Sequence, residues 1–301
     1  MPVPAMLIRE YDLIDPVVNS LTGGSDHVFR VTTGGGSFVL KQAGRPTDVE
    51  LQARVAAFLT DRDIPQARIL PTTNGALVTT DGFFLQELLP GAVVLHPDRQ
   101  QVQSAMQHVG AFHRVLAEVD SGYSPDTDSL FQRVADPEYL VGNLPKLAGS
   151  LAGAEELAAL DRLDQYRDRL AALPKQVVHG DIGPDNVLMD GNDVVAIIDF
   201  TPFLESVVFA ACTALYWYHV YGQPAVDVDQ LRASVHAIGS TRPWTGEELS
   251  LIPAGLLRES FRRLATPLAL AAESGRQPGP SLPSRHRALL NVAHLAEFTR
   301  S

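Results

Sequence analysis

Two short apolar runs on either side of a turn constrain this chain more than any other feature. Val187–Met189 and Val194–Ile198 are β-branched-rich runs, and the segment between them, 190–193, begins with Asp-Gly. This pattern predicts a β-hairpin. Because the first strand of an antiparallel hairpin begins where the second ends, we expect Asn186 and Asp199 to be neighbours in space.

The polar residues around this hairpin suit metal-dependent chemistry. An amide oxygen beside a carboxylate matches Mg²⁺, which takes oxygen ligands and keeps waters and substrate phosphates in its shell. Asp181 follows the preceding apolar strand and is free to act as a base toward a substrate hydroxyl. Each residue alone fits an ordinary turn, but the ordered set favours a catalytic segment.

The same residues resemble the catalytic loop and metal-binding aspartate segment of the protein-kinase-like fold. The matching positions are His179, Asp181 and Asn186, followed by Ile198-Asp199-Phe200. Gly180 is similar to the aminoglycoside phosphotransferase and choline kinase branch, whereas protein kinases carry arginine there. The resemblance implies ATP and Mg²⁺ as cofactors, Asp181 as the catalytic base, and Asn186 and Asp199 as metal ligands.

Residues 7–42 predict strands with small residues between them. The loop around Ser25 is turn-rich, and Lys41 ends an apolar strand with a cation. Small residues let backbone N–H groups approach phosphates closely. The resemblance implies that the Ser25 loop covers the nucleotide and that Lys41 contacts its phosphates.

A helix is predicted to follow, and its first acidic residues allow two readings. The resemblance implies an ion pair between Glu50 and Lys41. However, Thr47-x-x-Glu50 is also a capping box, in which Glu50 would serve the helix N-terminus. Gln52 is a second candidate for the position that faces the lysine.

The apolar strand at 82–89 ends in Pro-Gly and resembles the inter-lobe hinge of the same fold. The resemblance implies that the Glu87 carbonyl and the Leu89 N–H hold the adenine. Residues 120–150 are rich in breakers and predict an irregular segment. The nearly uncharged stretch 206–221 predicts a buried core helix, because it is too short for a membrane span.

Strands cluster before residue 90 and helices after it, which predicts an α+β fold. The resemblance implies a protein-kinase-like two-lobed fold. Residues 1–89 would form the N-lobe, a nucleotide-covering sheet with one helix. Residues 90–301 would form a helical C-lobe with the catalytic loop and the acceptor site.

Composition limits the class of protein. The single cysteine, Cys212, excludes an internal disulfide, and the N-terminus lacks a secretory signal pattern, so we expect a cytoplasmic protein. A net charge of −11 argues against sequence-independent nucleic-acid binding, which depends on Lys and Arg contacts to phosphates. The same charge is compatible with a cationic acceptor, and no membrane partner is indicated.

The resemblance implies a small-molecule kinase, an ATP-dependent O-phosphotransferase whose acceptor is an aminoglycoside or amino sugar. A kinase for choline, homoserine or another small alcohol is the main alternative, and a nucleotide-binding module without catalysis is another. Gly180 and the lack of a downstream Ala-Pro-Glu segment disfavour a protein kinase. The segment 205–210 lacks the aspartate of the family's Asp-Leu-Ala-like sequence, and the sequence indicates no acceptor-binding residues.

Overall fold

An antiparallel sheet forms the first part of the molecule. The computed structural model describes residues 3–21, 27–119, 122–124, 129–148, 153–275, 277–293 and 295. The sheet has five strands in the order β1-β2-β3-β5-β4. They are β1 (Val17–Ser20), β2 (Val28–Thr33), β3 (Gly36–Gln42), β4 (Ile69–Leu70) and β5 (Phe83–Glu87). Helix α2 (Pro46–Thr60) follows the strand that carries Lys41.

The prediction of strands from residue 7 onward is wrong for the N-terminus. Helix α1 (Val3–Tyr11) covers those residues and buries Met6, Leu7 and Glu10. These three residues lie on one helical face. Its apolar members, Met6 and Leu7, pack on Val31, Leu40 and Leu85 of the sheet. The first 89 residues therefore contain two helices instead of the predicted one.

The predicted hairpin is confirmed. Strands β8 (Val187–Asp190) and β9 (Asp193–Ile197) pair in antiparallel register, with Val187 opposite Ile197. Gly191 begins the two-residue connection at φ 60°, a conformation that glycine adopts without steric cost. The Ile198 N–H donates to the Asn186 carbonyl over 2.9 Å, so the hairpin register brings the chain next to Asp199 alongside Asn186.

Two further small sheet elements surround this hairpin. Strand β6 (Ala92–Val93) pairs with β8, and β7 (Gln176–His179) pairs with β10 (Pro202–Glu205). The second pairing places the start and the end of the predicted catalytic segment side by side, because His179 lies opposite Pro202.

Helices form the remainder of the described chain. Their bounds are α3 (Arg99–Leu116), α4 (Leu130–Arg133), α5 (Pro137–Ala148), α6 (Ala154–Ala171), α7 (Val207–His219), α8 (Val228–Thr241), α9 (Gly246–Ser274) and α10 (Leu282–Ala293). Glycines permit two close helix contacts: a Cβ on Gly110 would lie 2.4 Å from the Ile238 carbonyl oxygen, and one on Gly255 would lie 2.7 Å from Cys212 Sγ. These contacts pack α3 on α8 and α7 on α9 to build one large core.

The prediction of an irregular segment across 120–150 is wrong for its second half, where α4 and α5 form. Pro137 does not break α5, because it lies in the first turn, where a missing N–H costs nothing. The Asp136 side chain accepts a hydrogen bond from the Glu138 N–H over 2.9 Å and stabilises this start.

The architecture is α+β, with a sheet-rich first lobe and a helical second lobe, as predicted. Helix α7 is buried along most of its length, as expected for a core helix. Within the described ranges, no helix is long and apolar enough to cross a membrane.

Candidate active site

His179 fixes the backbone of the predicted catalytic loop. Its Nδ1 accepts a hydrogen bond from the Asp181 N–H over 3.1 Å, which leaves the ring proton on Nε2 to donate to the Ile198 carbonyl over 3.0 Å. Burial lowers the pKa of His179, so the neutral form that this pattern requires is favoured. One imidazole thereby joins the loop before the hairpin to the end of its second strand.

Gly180 lies against an aromatic ring. A Cβ at this position would lie 2.0 Å from a ring carbon of Phe203, whose side chain is buried. The loop therefore has no room for a side chain here. This packing gives a physical reason for the glycine that the sequence analysis singled out.

The Asp181 carboxylate is oriented by two hydrogen-bond donors. Its Oδ1 accepts hydrogen bonds from Arg263 Nη2 over 2.6 Å and from Trp217 Nε1 over 3.1 Å. Burial raises the pKa of Asp181, but Arg263, with smaller effects from Arg262 and Trp217, outweighs burial and leaves the pKa below its usual value. The carboxylate is therefore anionic and oriented at neutral pH.

Asn186 and Asp199 leave oxygen atoms available for a cation. Asn186 Nδ2 donates to the Asp181 carbonyl over 2.7 Å, and no donor in the described ranges reaches its Oδ1. Lys41 Nζ lies 2.6 Å from Asp199 Oδ1, and Oδ2 has no donor among the described residues. One amide oxygen and one carboxylate, completed by phosphate oxygens and water, fit the usual Mg²⁺ shell.

The structure places the two α2 candidates differently. Glu50 is exposed, and the amine of Lys41 contacts Asp199 instead. The N-cap of α2 is Arg45, without a side-chain capping bond, so the capping box predicted for Glu50 is not formed. Gln52 is half-buried and shares a cavity of about 30 Å³ with Asp199. Of these two side chains, Gln52 therefore faces the site.

The remaining predicted nucleotide contacts lie at the strand ends or outside the described residues. Ser25 lies outside them, in the connection between β1 and β2. Glu87 ends β5, and its side chain forms an ion pair with Arg68 at 2.8 Å. Leu89 follows in the segment that leads to β6. The adenine contacts of Glu87 and Leu89 remain predictions.

A cavity of about 600 Å³ adjoins the catalytic loop. Trp217, which donates to Asp181, and Asp185, on the loop itself, form part of its wall. Burial, then the nearby Asp181 and Asp199 carboxylates, raise the pKa of Asp185 above its usual value. Tyr218, Tyr221 and Asp227 also line this cavity.

Sequence reasoning missed Arg263 and Trp217. Arg263 lies in α9, 82 positions beyond Asp181, and Trp217 lies in α7, 36 positions beyond it. Trp217 belongs to a nearly uncharged helix whose sequence indicates only a core, and Arg263 belongs to a helix in which charged residues interrupt the apolar ones. Arginines between apolar residues of that helix were the available signal, since buried arginines are usually paired.

The family model described as "Phosphotransferase enzyme family" matches residues 17–204. Curated relatives include a homoserine kinase from Methylobacillus flagellatus, 29% identical over 241 residues that cover 77% of this chain and 72% of the relative. A homoserine kinase from Methylobacillus glycogenes is 32% identical over 156 residues, covering 50% of this chain and 48% of the relative. The match thus spans about half the length of that second protein.

Solved structures share the fold at low sequence identity. An amicoumacin kinase in complex with AMP-PNP, Ca²⁺ and its ligand has a TM-score of 0.71 at 15% identity, over 96% of this chain and 92% of that one. A thermostable mutant of aminoglycoside phosphotransferase APH(4)-Ia with ADP and hygromycin B has a TM-score of 0.67 at 16% identity, over 98% of each chain. Choline kinase LicA from Streptococcus pneumoniae has a TM-score of 0.64 at 12% identity, over 97% of this chain and 98% of that one. These likenesses confirm the predicted two-lobed, protein-kinase-like fold.

Proposed function

The chain belongs to the phosphotransferase enzyme family, and from this premise we propose that it transfers the γ-phosphoryl group of ATP to a hydroxyl of a small, amine-bearing acceptor. Aminoglycosides and amino sugars are the acceptor class that fits best. The observation that carries the proposal is that Trp217, which lines the cavity of about 600 Å³, donates a hydrogen bond to Asp181.

The cavity wall favours a cationic acceptor with apolar surface. Asp185 and Asp227 supply negative charge, and Tyr218, Tyr221 and Trp217 supply aromatic faces, which attract ammonium groups. Among the described residues, no lysine or arginine lines this cavity. Its volume lies within the range of roughly 300–1,000 Å³ typical of small-molecule sites.

The roles of the chain's own residues follow from their positions. Asp181 would accept the hydrogen bond of the acceptor hydroxyl and orient its oxygen toward the γ-phosphorus. Lys41 would exchange its contact with Asp199 for one with ATP phosphates. The hinge backbone at Glu87 and Leu89 would bind the adenine, and the loop around Ser25 would cover the phosphates.

Asn186 Oδ1 and the free oxygen of Asp199 would hold Mg²⁺, for which this oxygen donor set fits. When bound, this ion neutralises the negative charge that develops on the transferred phosphoryl group. The amicoumacin kinase, crystallised with an ATP analogue and Ca²⁺, supports the use of ATP with a divalent cation.

L-Homoserine is the second candidate acceptor, because the curated relatives above are homoserine kinases. Its amine suits the acidic wall of the cavity. Its carboxylate would find no lysine or arginine among the described wall residues, and it would fill much less of the cavity than an aminoglycoside would. These two features favour a larger amine-bearing acceptor.

A screen of ADP release tests the proposal. The purified chain is incubated with MgATP and kanamycin, choline or L-homoserine, and the phosphorylated product is identified by mass spectrometry. We expect acceptor-dependent ADP release that EDTA abolishes. Asp185→Asn should raise the KM of a cationic acceptor. ADP release that never exceeds the acceptor-free rate across the panel contradicts the proposal.

A further inference from the structure

We propose that Arg263 is a positioning residue for the reaction: it holds one oxygen of Asp181 so that the other oxygen receives the acceptor hydroxyl. This inference rests on the phosphotransfer proposed above. Arg263 lies in α9, outside the residues 17–204 that the family model matches.

The two oxygens of Asp181 have unequal surroundings. Oδ1 accepts from both Arg263 Nη2 and Trp217 Nε1, and no donor in the described ranges reaches Oδ2. The Asp181 side chain is 40% exposed, whereas that of Arg263 is 10% exposed. The saturated oxygen is therefore on the protein side, and Oδ2 is the atom left for a ligand.

Arg263 is itself held on two sides. Its Nε donates to Glu259 Oε1 over 2.6 Å, and its guanidinium lies 4.5 Å from the centre of the Trp217 ring. Glu259 is fully buried and also binds Arg262, which donates to both of its oxygens. Because a guanidinium is planar, fixing its Nε edge on Glu259 also fixes the direction of the Nη2 donor.

This arrangement defines the path of the proton. The acceptor oxygen forms a bond to the γ-phosphorus as the bond from that phosphorus to the β–γ bridging oxygen of ATP breaks. ADP leaves with the electron pair of that bond, and the hydroxyl proton passes to Asp181 Oδ2. Rotation of the carboxylate would misalign the acceptor, and a misplacement of about 1 Å can cost on the order of 100-fold in rate.

The test compares two arginines, Arg263 and Arg242. Each forms hydrogen bonds to a glutamate, but of the two only Arg263 contacts Asp181. Arg263→Met and Arg263→Lys remove or weaken the clamp. Arg242→Met is the matched control, because Arg242 makes two hydrogen bonds to the largely buried Glu248 and none to the site. Each variant is assayed for kcat and KM with the panel acceptor that the wild type phosphorylates, and its folding is checked by circular dichroism.

We expect Arg263→Met to lower kcat about 100-fold while the KM for ATP changes less than about twofold. The kcat of Arg263→Lys should lie between those of the wild type and Arg263→Met, since one ammonium group cannot hold Glu259 and Asp181 in fixed directions together. Guanidinium ion added to Arg263→Ala should restore part of kcat. Arg242→Met should keep the wild-type kcat even if its melting temperature falls.

The outcomes separate the two proposals. A wild type that phosphorylates no panel acceptor overturns the proposed function and this inference with it. An active wild type with normal kcat in Arg263→Met overturns the inference alone. If Arg263→Met does not fold, Arg263→Lys decides: wild-type kcat and KM there contradict the positioning role.

Discussion

Lys41 Nζ lies 2.6 Å from Asp199 Oδ1, so the amine of strand β3 contacts a carboxylate 158 positions later in the chain. The lysine side chain is 11% exposed, and that of the aspartate is 55% exposed. This contact joins the sheet to the residue that follows the β8–β9 hairpin. The amine of Lys41 is therefore already directed at the carboxylate that we propose as a metal ligand.

Lys41→Met should lower turnover about 100-fold and raise the KM for ATP, because phosphates lose their positioning cation. Initial rates over a range of ATP concentrations measure both. Lys175→Met is the control: its amine lies 3.9 Å from Glu205, and its side chain is 47% exposed. Equal kinetic effects of the two variants would contradict the assignment of Lys41.

Asp199→Asn should lower turnover by two or more orders of magnitude while the protein still folds. Asp199 adopts φ 60°, in the left-handed region, which asparagine tolerates better than alanine. The asparagine variant therefore removes the charge with little backbone strain. ADP release and a thermal melt are the two measurements, and near-wild-type turnover would exclude Asp199 as a metal ligand.

Gly180→Ala should destabilise the fold by about 1–3 kcal/mol and impair catalysis, because the new methyl group overlaps the buried Phe203 ring. Gly142→Ala is the control, since nothing lies within 4 Å of its added Cβ and alanine favours the helix there. Urea unfolding compares the two variants. A Gly180→Ala protein as stable and active as wild type would refute the packing argument.

Acid should destabilise the protein through His113. Burial, aided by His179 and Arg242, lowers the pKa of His113 to about 3, against about 6.5 in an unfolded chain. The unfolded state therefore binds a proton below pH 6.5 that the folded state does not. The contribution of His113 to the free energy of unfolding is therefore fully present above pH 6.5, and about 2 kcal/mol of it is lost by pH 5.

Urea unfolding at pH 7, 6 and 5 measures this dependence. His113→Gln should be less stable than wild type at pH 7, because two hydrogen bonds of the imidazole, to Val109 and His179, are disturbed. Its stability should nevertheless change less with pH. Parallel curves for the two proteins would show that His113 does not carry the effect.

The local parts of the site were readable from the sequence because their geometry is local. A turn with Gly191 between β-branched runs fixes the hairpin register, and that register places the Asn186 backbone against Ile198, the residue before Asp199. The partners of Asp181 were not readable. Trp217 and Arg263 reach it only through the packing of α7 and α9, which no short spacing encodes.

The errors have similar physical causes. Helix α1 is only 9 residues long, so its periodicity competes poorly with the strand pattern that follows it. The Lys41 partner depended on a tertiary approach between the sheet and the hairpin, and Glu50 is exposed instead. In each case the sequence signal was weaker than the packing that decided the outcome.

Strand β6 begins after the predicted hinge segment, and it pairs with the strand that follows Asn186: Ala92 lies opposite Met189, and Val93 opposite Leu188. Gly91, at φ 96°, allows this close approach, since a Cβ there would lie 3.1 Å from the Met189 carbonyl oxygen. The consequence concerns recombination between homologous enzymes. A chimera joined after residue 89 takes β6 and the β8–β9 hairpin from the same parent, so their pairing is kept. A crossover between Gly91 and Ala92 would instead take Gly91 from one parent and the hairpin that it packs against from the other. The N-terminal sheet is therefore best exchanged at 89, with 90–93 kept beside the hairpin they bind.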